Sequence, residues 1–108
     1  MTPNASVAIP RGPSAPLTYA IPDEWVSSCH VGCRVLVPMG RNNRRLTGYV
    51  VARDVEISGK WKLKPISDVL DEDPLFSSDL LALFHFIAQY YRASLGDAIR
   101  TGLPAVFN

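Results

Sequence analysis

One change of hydrophobic period, at Asp73-Pro74, constrains this chain more than any other feature. Upstream of it no window carries apolar residues at helical spacing. Segments of strand length stand between breakers there: Ser6 to Ile9, Leu17 to Ile21, Cys33 to Val37, Leu46 to Val55 and Lys62 to Leu70. Downstream, Leu80, Leu81, Leu83, Phe84, Ile87, Ala88 and Tyr91 form a broad apolar stripe at the spacing of a helix of about four turns. Strands followed by helices, in a chain of 108 residues with nine prolines and seven glycines, predict one turn-rich α+β domain, mainly β. The expected architecture is a small, partly open antiparallel β-barrel of the OB or SH3-like kind over residues 1–72, covered by a helical hairpin over 77–103.

Local chemistry sharpens the element ends. Arg41-Asn42-Asn43-Arg44-Arg45 and Ser58-Gly59-Lys60 have the composition of hairpin turns, so the third, fourth and fifth strands are expected to run as a meander. Gly48 marks a bulge or a close backbone contact. Ser77 is a good N-cap with Asp79 behind it, and Phe76 can staple onto Leu81. Ser94-Leu95-Gly96-Asp97 resembles a capping box opening a short second helix. That helix is expected to stop at a left-handed Gly102, with Pro104 forbidding continuation. Because the sequence ends directly after that stop, it reads as a domain excised from a longer protein.

Several function classes are excluded or left without support. The proline-broken start lacks the charged and apolar regions of a secretory signal, and the longest apolar run, Leu80 to Tyr91, is far short of the roughly twenty residues a membrane span needs. Two cysteines, Cys29 and Cys33, are too few for a disulfide framework, so a reducing cytoplasm is expected. Cys29-His30-x-x-Cys33 offers one ligand cluster where structural zinc wants two pairs, and His85 reads as a packed or hydrogen-bonded helix residue. No phosphate loop, nucleophile elbow or paired acid and base is present, and Asp71-Glu72-Asp73 reads as a solvated turn.

The charge pattern is more informative. Residues 41–64 hold seven cations against two carboxylates, a local +5, whereas residues 65–108 carry −4 and residues 1–40 balance. Arg41, Arg44, Arg45, Lys60, Lys62 and Lys64 on hairpin loops could hold phosphates, with Trp25, Tyr49 or Trp61 as stacking platforms. The same cations could equally decorate exposed turns for solubility, and Tyr90-Tyr91 is expected to pack between the helices. Charge alone leaves both readings open.

The order of short motifs narrows them. Val7-Ala8-Ile9-Pro10 precedes Pro16-Leu17-Thr18-Tyr19-Ala20-Ile21-Pro22, then Gly32-Cys33-Arg34-Val35-Leu36-Val37-Pro38-Met39-Gly40-Arg41, then Thr47-Gly48-Tyr49-Val50-Val51. Leu63-Lys64-Pro65-Ile66, Val69-Leu70-Asp71, Pro74, Tyr90-Tyr91, Leu95-Gly96-Asp97 and Leu103-Pro104 follow. Over nearly the whole chain this series resembles the N-terminal domain of the primosomal protein N′ family of bacterial replication-restart helicases. The resemblance implies a non-catalytic DNA-binding module for replication restart and DNA repair. It would bind branched DNA or single-strand/duplex junctions, such as stalled forks, at the 3′ end of the leading strand, and orient an ATP-dependent helicase.

By the same resemblance the 3′-end pocket falls on Leu17, Thr18, Tyr19, Gly40 and Lys64, while the charge pattern puts Arg41, Arg44, Arg45, Lys60 and Lys62 on phosphates. Leu17 would pack on the terminal base or sugar, Gly40 would admit close backbone approach, and Lys64 would hold a phosphate. The family often has Phe-Asp-Tyr where this chain reads Leu17-Thr18-Tyr19, and Pro-Phe-Gly where Met39 stands, so a hydroxyl replaces a carboxylate. No cofactor is expected in this domain; ATP and zinc are implied for the helicase part alone. Expected partners are DNA and, beyond it, other primosome proteins and single-strand-binding protein, in the bacterial cytoplasm at the nucleoid and without a membrane. The rival reading is a protein-interaction barrel docking a restart factor or single-strand-binding protein through the helix hairpin. Convergence of the basic side chains on one concave face would favour DNA, and an exposed apolar patch would favour the rival.

Overall fold

The computed structural model describes residues 3–57 and 62–107, the side chains of 104–107 excepted. Its elements are β1 (Asn4–Ala8), β2 (Leu17–Ala20), a 3-10 turn (Asp23–Trp25), β3 (Arg34–Met39), β4 (Arg44–Arg53), β5 (Asp68–Val69), α1 (Ser78–Tyr91) and α2 (Leu95–Phe107). The strands form one antiparallel sheet in the order β2-β1-β4-β3-β5. The sheet does not close into a barrel. A parallel bridge between Ala20 and Pro65 nevertheless draws its two ends together: the Ala20 amide donates to the Lys64 carbonyl and the Ile66 amide to the Ala20 carbonyl, both at 2.9 Å.

The expected meander is corrected by this order. β5 pairs with β3 rather than β4, because the other side of β4 is already occupied by β1. The expected long fifth strand shrinks to Asp68–Val69, since the residues before it serve the bridge to β2. The Ser58-Gly59-Lys60 turn and Trp61 lie outside the described residues.

Both faces of the sheet are covered, and strand alternation decides which residue goes where. Val7, Tyr19, Val35, Val37, Val50 and Ile66 fill one core, enclosed with the loops that follow β2. Ala8 and Tyr49 point the other way, into a second core with Phe76, Phe84, Leu95, Ile99 and Leu103 of the helical layer. Gly48 is a close contact: a Cβ there would stand 2.4 Å from a Val7 methyl. The register shift lies elsewhere, where β1 passes from Ser6 to Val7.

The helix starts follow their sequence signals. Ser77 Oγ accepts from the Leu80 amide at 3.3 Å, and Ser94 Oγ accepts from the Asp97 amide at 3.1 Å while donating to the Asp97 carboxylate. Asp97 also accepts from the Arg11 amide, which ties the β1–β2 loop to α2. The expected stop at Gly102 is corrected, since α2 runs on through Pro104 to Phe107. Gly102 serves packing instead: a Cβ there would lie 2.5 Å from the Phe84 ring, so only glycine lets the two helices approach this closely.

Tyr90 and Tyr91 do not pack between the helices; each is 72% exposed. Tyr49 is buried against Phe76 and is no stacking platform, and Trp25 is half-buried on the sheet core. His85 is exposed rather than packed. Asp71 is not merely solvated: it takes a two-pronged grip from the Arg34 guanidinium, with contacts of 2.8 Å and 3.1 Å, and accepts from the Arg34 amide.

Candidate nucleic-acid interface

β2 is an edge strand, so half of its backbone polar groups face away from β1. At Ala20 those groups are taken by Lys64 and Ile66. The period of two turns the backbone N–H and C=O of Thr18 outward on the same side, and this is where the bridged segment leaves room. A pocket of about 270 Å³ opens there, lined by Leu17, Thr18 and Tyr19 of β2, by Pro38 of β3, and by Lys62, Leu63 and Lys64.

Three hydrogen bonds fix its frame. The buried Tyr19 hydroxyl donates to the Pro38 carbonyl at 2.9 Å, and burial pushes its pKa up, which keeps the donating proton in place. The Lys64 ammonium donates to the Gly40 carbonyl at 2.9 Å. The Asn43 amide donates to the same carbonyl at 3.2 Å, which closes the hairpin between β3 and β4. Gly40 has φ +77, a conformation L side chains rarely adopt, and nothing lies within 4 Å of where its Cβ would stand. The backbone at Gly40 is thus turned toward Lys64 and left open to approach.

The structure therefore brings four of the five pocket residues named from sequence, Leu17, Thr18, Tyr19 and Lys64, into one cavity, and places Gly40 against the ammonium of the last. Lys62 joins them, on the wall rather than on an outer loop. Pro38 and Leu63 were missed. The strand pairing, with Pro38 opposite Arg45, is the signal for Pro38, and it is available only once the hairpin register is known.

A second pocket, of about 440 Å³, shares Pro38 and Lys64 with the first and is completed by Asn43, Arg45, Pro65, Ile66 and Ser67. Arg45 and Lys64 thus converge on one concavity. Arg41 and Arg44 stay exposed on the β3–β4 hairpin and line neither pocket. Lys60 lies outside the described residues. Arg53, a cation of the same basic stretch, is committed to structure: its guanidinium donates to the carbonyls of Val26 and Cys29 and pairs with Asp54.

Among the described residues no cluster of His, Cys, Asp or Glu is placed to hold a metal ion. Cys29 and Cys33 are buried free thiols whose pKa values burial pushes up, which makes them poor nucleophiles. No helix among the described residues is long and apolar enough to cross a membrane.

Comparison with known proteins places the same segment in context. The family described as 3′ DNA-binding domain (3′BD) matches residues 6–104. The replication restart protein PriA of Haemophilus influenzae is 38% identical over 88 residues, which is 80% of this chain and 11% of that protein. The PriA of Bacillus subtilis is 32% identical over 92 residues (83% of this chain, 11% of that protein), and that of Rickettsia felis 30% over 100 residues (93% and 15%). The chain therefore spans only a small fraction of the length of these relatives.

Proposed function

The chain belongs to the 3′ DNA-binding domain (3′BD) family, and from that membership we propose that it binds branched DNA, such as a stalled replication fork, by capturing the 3′ end of the leading strand. The domain is a DNA-binding one and holds no catalytic domain. In this reading it orients an ATP-dependent helicase elsewhere in the same polypeptide, and ATP and zinc belong to that part.

The observation that carries the proposal is the single cavity formed by Leu17, Thr18, Tyr19, Lys62 and Lys64 beside an exposed basic hairpin. Leu17 offers the terminal base or sugar an apolar wall. Lys64 spends one of its three donors on Gly40 and has two left for a phosphate. Thr18 supplies its hydroxyl to the 3′ hydroxyl and, through the edge-strand alternation, a backbone carbonyl as well. That carbonyl can accept the proton for which the family often supplies a carboxylate. In this reading a strand continuing past its 3′ position would have to clear the Leu63 side of the pocket, away from the wall formed by Pro38 and Lys64.

Fluorescence anisotropy with partly duplex DNA ending in a 3′ hydroxyl, a 3′ phosphate or an extended strand tests this at two salt concentrations. The expected result is preference for the free hydroxyl, with binding that weakens steeply with salt as counterions are released. Equal affinity for all three ends would remove the pocket from recognition and leave a general DNA module.

A second reading is favoured by one specific observation. α1 exposes Leu83, Phe86, Tyr90 and Tyr91 on its outer side, with Phe86 stacked on Tyr90 at 6.1 Å. Such a face suits docking to another primosome protein or to single-strand-binding protein. It lies on a different layer from the pocket, so the two readings can hold together.

A further inference from the structure

We propose that the groove between the β3–β4 hairpin and residues 64–67 is a second nucleotide subsite, which takes the penultimate nucleotide of the strand whose 3′ terminus occupies the first pocket. This deepens the end-capture reading and rests on it.

The two cavities are continuous. The 270 Å³ pocket has room for one terminal residue, so the strand must leave it, and Pro38 and Lys64 form the wall it shares with the 440 Å³ groove. A strand crossing that wall carries its internucleotide phosphate past the Lys64 ammonium, which is exposed and, among the described residues, commits only one of its three donors.

The groove also has the chemistry a nucleotide needs. Arg45 pairs directly with Pro38 across β3 and β4, so the two side chains stand on the same face of the sheet. Arg45 is exposed and makes no ion pair or side-chain hydrogen bond among the described residues. Asn43 (φ +50) adds a side-chain amide, and Ser67 adds a hydroxyl while its own amide is held by the Leu36 carbonyl at 2.8 Å. Pro65 and the buried Ile66 give the groove an apolar floor. Cationic and neutral donors above an apolar surface match a nucleotide, with phosphate to the guanidinium and base or sugar to the floor. No donor pattern in the groove selects one base edge, so the subsite is expected to be sequence-tolerant.

Calorimetric titration of the domain with a 5′-deoxynucleoside monophosphate and with di- and trinucleotides, all ending in a 3′ hydroxyl, tests the subsite. In the wild type the step from one to two nucleotides should raise affinity about tenfold, and the step to three much less. In Arg45→Ala that first increment should vanish while the mononucleotide affinity stays unchanged, and Arg45→Lys should restore part of it. Thermal melting of the variants, which should match the wild type, separates this outcome from misfolding.

Equal mononucleotide and dinucleotide affinities in the wild type, with discrimination against a 3′ phosphate intact, would overturn the subsite and leave end capture standing. Loss of mononucleotide and dinucleotide binding to the same extent in Arg45→Ala would overturn it as well, because Arg45 would then belong to the first pocket. Ligands that bind equally with a hydroxyl or a phosphate at the 3′ position would instead overturn the end-capture reading itself.

Discussion

The pocket edge of the sheet and the outer face of α1 are both exposed, yet they are held in opposite ways. At the pocket, side chains are fixed by hydrogen bonds to backbone carbonyls, Tyr19 to Pro38 and Lys64 to Gly40, so their geometry is set by strand register and one glycine turn. On α1, Phe86 stacks on Tyr90 and Tyr90 meets Tyr91 edge-on at 5.0 Å, on a helix whose opposite side carries the packing. The first surface depends on the whole sheet being correctly assembled. The second needs only the helix. A substitution in the joint between layers should therefore separate stability from binding, and one on the outer face of α1 should disturb neither.

The largest effect is expected at Phe84. It is 1% exposed, meets Phe76 edge-on at 5.7 Å and fills the space that Gly102 vacates on α2. Phe84→Ala should cost about 3–5 kcal/mol by creating a cavity between α1 and α2. Denaturant unfolding measures it. At a temperature where the variant is still folded, affinity for a 3′-hydroxyl end should match the wild type, since no pocket residue touches this core. A parallel loss of affinity in the folded variant would show that the two regions are not independent.

A smaller effect is expected at the clasp between Arg34 and Asp71, which ties the start of β3 to the chain entering the helical layer. Burial alone would push the Asp71 carboxyl up, but the hydrogen bonds and charge of Arg34 outweigh it and hold the carboxyl below its ordinary value. A carboxyl depressed in the folded state contributes stability above its unfolded pKa, near 3.9, and loses that contribution as pH falls through the folded value. Asp71→Asn should cost about 1 kcal/mol at neutral pH, modest because Arg34 is 44% exposed. The gap between wild type and variant should stay level from pH 7 to about 5 and close below pH 4. A gap that widened on acidification would contradict the clasp.

Most of the fold was legible from local signals, and the misses share one cause. Ser77 and Ser94 begin helices as their side chains require, and the strands up to Arg53 fall on the strand-length segments that stand between breakers. Periodicity describes an element but not its neighbour, so the partner of β5 and the exposure of Tyr90 and Tyr91 needed the assembled sheet. Gly102 shows the limit of turn chemistry: a glycine before Pro104 reads as a stop, yet the Phe84 ring against it makes it a contact point that keeps α2 going. At the site, charge alone could not choose between solubility and phosphate binding. Motif order assigned Leu17, Thr18, Tyr19 and Lys64, whereas Pro38 and Leu63 carry no such signal and enter through register and the bridge to β2.

The smallest effect is expected on the aromatic face, where it is also the most informative about the comparison. Phe86 and Tyr90 are 62% and 72% exposed and contribute one stacked pair and an edge-on contact with Tyr91, all on the helix surface. The double substitution Phe86→Ser and Tyr90→Ser should therefore change stability by no more than about 0.5 kcal/mol in thermal melts. It should leave affinity for a 3′-hydroxyl end unchanged, because neither ring lines the pocket or the groove beside it. If affinity fell severalfold with stability intact, bases would be stacking on α1, since one such contact is worth about 1–3 kcal/mol. DNA would then run from the pocket onto the helical layer, and the division between a strand-built binding edge and a free helix face would give way to one continuous surface.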